Sequence, residues 1–181
     1  MSSWLCRFTV FRCLYGNFHA SGGDHASHDP VALNGMLLVN CLTPALLANG
    51  FAARPRARGQ GGTIFTSSVE AWRGMPNSVA FAASKSFVNR LGNGPMGRAD
   101  PRRHRCAPPC PGDTDALRRS GMDPATVPNV MSPDEVARVA LENITNGPVY
   151  LPSPHYAAMF KQVLATPTRD ALTSMAGSMK K

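Results

Sequence analysis

The residues of this chain with most chemistry in their spacing are Ser67-Ser68, Phe81 and Lys85. Thr63-Ile-Phe-Thr-Ser-Ser68 reads as a short strand by its β-branched and aromatic content. Ser68 leaves the end of that strand, and thirteen residues later Phe81 stands four positions before Lys85 on a segment, Val79 to Leu91, that reads as a helix. Residues four apart on a helix face the same way, one turn apart. The pattern sets a hydroxyl and an amine around a ring that has no proton to give. Two other groupings could ligate a metal: His19, Asp24, His25 and His28, and His104 with Cys106 and Cys110. The first reads as a polar, glycine-containing linker. The second lacks a second ligand pair at matching spacing, so no metal site is expected.

Gly61-Gly-Thr-Ile-Phe-Thr-Ser-Ser68 followed by Val79-Ala-Phe81-Ala-Ala-Ser-Lys85 resembles the pattern of the short-chain dehydrogenase/reductase family, a strand ending in G-x-I-x-x-x-S-S and then Y-x-A-S-K. Ala83-Ser84-Lys85 agrees letter for letter, and the likeness covers, with gaps, roughly Asp29 to Tyr150. The resemblance implies an NAD(P)-dependent oxidoreductase acting on a carbonyl or alcohol. In the family the serine bonds the substrate oxygen, the tyrosine moves the proton, and the lysine holds the cofactor ribose while lowering the tyrosine pKa. Carried over, Ser68 is the polarising serine, Lys85 the ribose lysine and Asn34 the helix asparagine that supports a water relay. Pro111, Gly112 and Thr114 match the loop whose backbone meets the nicotinamide. Phe81 stands where the tyrosine belongs. General acid–base catalysis contributes roughly 10²–10⁴-fold, so the resemblance implies impaired or absent turnover.

The resemblance also implies an α/β fold, here an incomplete Rossmann-like doubly wound sheet. The family's T-G-x-x-x-G-x-G turn, which holds the pyrophosphate at a helix N-terminus, does not occur in these 181 residues. Gly59-Gln60-Gly61-Gly62 leads into a strand rather than out of one. The expectation is therefore the C-terminal half of such a domain, with roughly two βαβ units of about 30 residues each absent. Such a half would leave an exposed sheet edge, so a second copy or a partner chain is expected to complete the sheet.

Three parts are expected along the chain: an irregular segment at 1–28, the partial domain at 29–165 and a polar tail at 166–181. Asp29-Pro30 suits the start of a helix, an N-cap followed by proline at the first helical position. It runs through Leu42 and should kink or end at Pro44. Asn49 to Gly62 reads as a Gly/Pro/Arg-rich loop, and Pro76-Asn77 as a turn. Pro108-Pro109 puts in doubt the strand expected around Arg103 to Cys110. Ser132-Pro133-Asp134-Glu135 is a capping box opening a helix to about Ile144. Pro148 to Pro152 is a short extended segment, and His155 to Ala165 a final amphipathic helix.

The net charge of +8 comes almost wholly from arginine, clustered at Arg54/Arg56/Arg58, Arg102/Arg103/Arg105 and Arg118/Arg119. No aromatic residues interleave with these clusters as a single-strand binder would need, so nucleic acid is an unlikely partner and arginine-rich solvated loops the expected reading. A non-catalytic interaction protein that uses the basic loops stands as the alternative to an enzyme. No uninterrupted apolar run approaches about 18 residues, so no membrane span is expected. The five cysteines make no disulfide framework and suit a cytoplasmic compartment. The acid-free, arginine-containing first 16 residues weakly resemble a mitochondrial transit segment.

Overall fold

The computed structural model describes residues 25–58, 63–93, 104–107, 118, 123–143 and 149–178. The expected irregular segment up to residue 24, the loop holding Pro111, Gly112 and Thr114, and the glycines at 59–62 lie outside them. The first long element starts where the sequence places it. Asp29 caps α1 (Pro30–Leu37) by accepting from the Val31 amide at 3.0 Å. α1 does not end at Pro44. It passes through one π-helical turn (Leu38–Leu42) into α2 (Thr43–Arg58). Pro44 has no N–H to give the carbonyl of Asn40 one turn back. The backbone widens just before it, with the Thr43 amide and hydroxyl both donating to the Leu38 carbonyl. The helix also runs through most of the segment read as a loop. Leucine and alanine around Gly50 sustain it to Arg58, against the cost of about 1 kcal/mol for a glycine and 3 for a proline in a helix interior.

β1 (Thr63–Thr66) follows, then a 3₁₀ turn at Val69–Trp72 and α3 (Val79–Asn93). Met75 to Ser78 form the expected turn, closed by the Ser78 amide donating to the Met75 carbonyl at 3.1 Å. Pro76 fixes its second position and Asn77 takes φ 62° at the third, a left-handed conformation that asparagine tolerates better than most residues. β2 (His104–Ala107) pairs in parallel with β1, Thr63 opposite His104 and Thr66 opposite Ala107. The doubt over this strand is resolved by its length. It stops one residue short of Pro108, and the position before a proline favours extended backbone.

After a 3₁₀ turn at Pro124–Thr126 come three further α-helices: α4 (Pro133–Glu142), α5 (Pro154–Ala165) and α6 (Thr168–Ser178). The Ser132 hydroxyl accepts from the Glu135 amide, so the N-cap half of the capping box forms as read. The expected polar tail is a helix instead. α6 buries Ala171, which a short polar stretch with scattered Ala, Leu and Met does not announce by periodicity.

The core lies where α3 crosses the two-stranded sheet. Phe65 on β1 and Val88 on α3 are its centre, with Ala48, Leu91 and Val149 packed against it. The helix Pro30–Gly50 has a mean hydropathy of 1.7 and is 22% buried, long and apolar enough to cross a membrane by length and composition alone. No uninterrupted apolar run forecast it, because Asn34, Asn40, Thr43 and Pro44 break the sequence. Its buried side, Met36, Asn40 and Pro44, belongs to the stretch that packs on α3.

Candidate active site

Ser68 closes β1 and opens the 3₁₀ turn. Its Oγ accepts from the Glu70 amide at 3.3 Å, which fixes the hydroxyl at the carboxyl end of the strand. In open α/β sheets ligands bind in the crevice at that end. α3 returns alongside, with Phe81 and Lys85 one turn apart. Lys85 is fully buried, with 0% of its surface exposed, and its Nζ donates to the carbonyl of Thr66, the last residue of β1, at 3.3 Å. The same nitrogen lies 5.5 Å from the centre of the Phe81 ring, within the reach of a cation–π contact. Enclosing a cation is costly unless its charge is answered. The ring that cannot give a proton still holds the ammonium.

Serines along α3 tie this stripe to its neighbours. Ser84 Oγ donates to the Phe81 carbonyl at 2.7 Å and accepts from Asn40 Nδ2 at 3.1 Å. Ser86 Oγ donates to the Ala71 carbonyl at 2.6 Å, pinning the 3₁₀ turn to the helix. Ser78 Oγ donates to Glu70 Oε2 at 2.9 Å. Thus three hydroxyls fix α3 against the π turn, the loop after β1 and a carboxylate.

Phe81 and Lys85 are brought together, and Lys85 reaches the carbonyl of Thr66, two residues before Ser68. Asn34 does not join them: it is exposed and lines an apolar groove of about 490 Å³ with Leu37, Leu38, Cys41 and Phe87, on the side of α3 away from Lys85. The buried asparagine of that helix is Asn40, in the π turn, bonded to the residue before Lys85. Sequence reading missed it, although Pro44 four residues later signals a carbonyl without its helical donor. Pro111, Gly112 and Thr114 lie outside the described residues, so their approach to the site is not placed. Among the described residues no group of three or more His, Cys, Asp or Glu could hold a metal ion.

Glu70 was not singled out by the sequence. Burial pushes its carboxyl above the ordinary value of 4.5, while the Ser78 hydroxyl and then the positive charge of Lys85 draw it back. The net shift is upward, so the site contains a carboxyl that keeps its proton longer than an exposed glutamate does.

Solved structures similar to this arrangement are short-chain dehydrogenases. One from Sphingobium yanoikuyae, in complex with NADPH, matches with a TM-score of 0.66 over 84% of this chain and 60% of its own, at 24% identity. Another from Burkholderia cenocepacia J2315, in complex with NADP, matches with a TM-score of 0.65 over 81% of this chain and 60% of its own, at 21% identity. A 7β-hydroxysteroid dehydrogenase gives a TM-score of 0.69 over 85% and 61%, at 16% identity. The chain therefore spans 60–61% of the length of these three. No protein-family model and no curated protein matches the sequence. The fold is thus the Rossmann-like α/β fold of the short-chain dehydrogenases/reductases.

Proposed function

We propose that this chain carries the reacting end of an NAD(P)-dependent short-chain oxidoreductase site for a carbonyl or alcohol substrate, with turnover depressed by Phe81. The observation that carries the reading is the buried Lys85, set against the Phe81 ring and bonded to the last residue of β1, with Ser68 capping the turn two residues beyond. The donor types fit the nicotinamide–ribose end of the cofactor: a hydroxyl for an oxygen and a lysine ammonium for the ribose. Lys85 would hold the ribose, and by the family resemblance Pro111, Gly112 and Thr114 would meet the nicotinamide. When bound, the nicotinamide supplies or accepts a hydride.

The residues of the chain then divide the remaining work. Ser68 donates to the substrate oxygen and orients it. Phe81 keeps water from the lysine and supplies no proton. The role first assigned to Asn34 passes to Asn40, which holds Ser84 and through it the turn of α3 that carries Phe81 and Lys85. With no phenol for Lys85 to acidify, proton transfer is the weak step, slower by about 10²–10⁴-fold than with a tuned acid.

Fluorescence titration of NADPH and NADH against the purified chain, with Phe81→Tyr in parallel, tests this. Saturable binding, and carbonyl-dependent cofactor oxidation at least about 10²-fold faster in Phe81→Tyr, is the expected result. Cofactor binding by neither protein rules the reading out. Salt-sensitive retention on a polyanion without cofactor binding would favour the non-catalytic interaction protein instead.

A further inference from the structure

We infer that Glu70 is the residual proton-handling group of this site, its carboxyl supplying from the turn that Ser68 opens a part of what the ring of Phe81 cannot. The inference rests on the oxidoreductase reading and extends it. Three placements carry it. Glu70 is two residues past Ser68, and its own amide donates to the Ser68 hydroxyl, so the carboxyl and the oxygen-binding hydroxyl move as one turn. Its Oε2 accepts from Ser78, and Ser78, Phe81 and Lys85 recur at three and four residues along α3, which puts them on one stripe. The carboxyl is therefore anchored at the N-terminal end of the stripe that bears the ring and the lysine. Finally, Lys85 is the charge that reaches it. Arg73, on the same turn, points away, with its guanidinium committed to Leu164, Thr166 and Thr168.

An anion at the first turn of α3 would by itself serve helix stability. That role calls for a carboxylate kept ionised in water. Glu70 is instead withdrawn from solvent far enough for desolvation to outweigh both the Ser78 bond and the Lys85 charge. A carboxyl that holds its proton above the ordinary glutamate value, with the Lys85 charge acting to stabilise the conjugate base, is the composition of a general acid.

The step balances as follows. As hydride from a dihydronicotinamide donor forms the new C–H bond, the carbonyl π pair moves to oxygen. The O–H bond of the Glu70 carboxylic acid breaks and the O–H bond of the alcohol forms, leaving the Glu70 carboxylate, which solvent reprotonates through the turn at Ser78. In the oxidative direction the same carboxylate takes the alcohol proton.

Two measurements on the full chain decide it. Carbon-13 NMR titration of side-chain carboxyls, with Glu70→Gln assigning the resonance and Glu70→Asp as a second variant, should give a midpoint above 4.5 that rises further in Lys85→Met. A midpoint at or below the ordinary glutamate value overturns the inference. Carbonyl-dependent oxidation of NADPH and NADH is then compared in the unaltered chain, Glu70→Gln, Phe81→Tyr and the double variant. The expected pattern is a loss of about 10²-fold in Glu70→Gln, with the rate of the unaltered chain falling as pH rises through the NMR midpoint. The double variant should recover activity because the phenol returns. If Glu70→Gln matches the unaltered chain while Phe81→Tyr is active, Glu70 moves no proton and the oxidoreductase reading stands. If all four are silent, the oxidoreductase reading fails and this inference with it.

Discussion

Glu70 is placed where ionisation is expensive, and it leaves a mark on stability that can be measured. A carboxyl whose folded value lies above its unfolded one binds protons more tightly in the folded chain. Stability then falls as pH rises from the ordinary value of 4.5 through the folded value, and the cost is complete above it. Glu70→Gln removes that dependence. Denaturant titrations at a series of pH values should show the variant and the parent converging at the acid end and the variant gaining steadily toward neutral pH. Equal slopes would mean that the carboxyl is solvated. Asn40 and Ser84 form a buried polar pair. A double-mutant cycle of Asn40→Ala and Ser84→Ala should return a coupling of about 1 kcal/mol. At this scale Ser68, Phe81 and Lys85 were legible because their chemistry is tied to a fixed spacing across strand and helix. Asn40 was not, because the helix around it is apolar on nearly every side, and pattern alone does not say which face is buried. Glu70 was equally silent, since a glutamate in a loop reads as solvated until the fold covers it.

Among the elements, the junction of α1 and α2 shows how a single proline is absorbed rather than obeyed. Pro44 deprives the Asn40 carbonyl of its donor, and the chain responds with one π turn that sets the Asn40 side chain against Ser84. Pro44→Ala restores the missing amide. The variant should melt higher, since alanine is favoured over proline in a helix interior by up to about 3 kcal/mol, and should lose most of the Asn40–Ser84 coupling as the turn tightens. A coupling that survives unchanged would show that packing on α3, and not the proline, holds the π turn. Two caps were legible: Asp29 and Ser132 were named from sequence and each accepts the expected amide. Ser132→Ala should cost about 1 kcal/mol, read from a denaturant midpoint. The extent of α2 and the existence of β2 were less so. Glycine, proline and arginine mark a loop on average, yet the first penalises a helix by only about 1 kcal/mol, and Pro108 bounds a strand as readily as it prevents one.

Across the whole chain, the turn that carries Ser68 and Glu70 is held from outside by the C-terminal helices. Trp72 meets Phe160 of α5 edge to face, with ring centres 4.8 Å apart. Arg73 takes the end of α5 in a fork: Nη2 donates to the carbonyls of Leu164 at 2.8 Å and Thr166 at 2.7 Å, and Nη1 to the Thr168 hydroxyl at 2.9 Å. The last carbonyls of a helix have no partner within it, so this arginine completes α5 and fixes the start of α6 in one grip. Tyr156 fastens the other end, its hydroxyl donating to the Pro128 carbonyl at 2.6 Å. None of this could be read in advance, because residues far apart in sequence meet here, 91 to 95 positions for Arg73, and no local pattern encodes the meeting. Arg73→Ala should therefore loosen two regions together. Hydrogen exchange of the amides around Thr166 and Ala171 should accelerate, and so should exchange of the Glu70 and Ala71 amides in the turn, with a stability loss of about 1–3 kcal/mol. Arg73→Lys should recover little, since a single ammonium cannot reproduce a planar fork spread over three acceptors. Acceleration confined to α5 and α6 would show that the helices dock on the site without positioning it. The coupled result would make the C-terminal pair part of what sets the Ser68–Glu70 turn against α3.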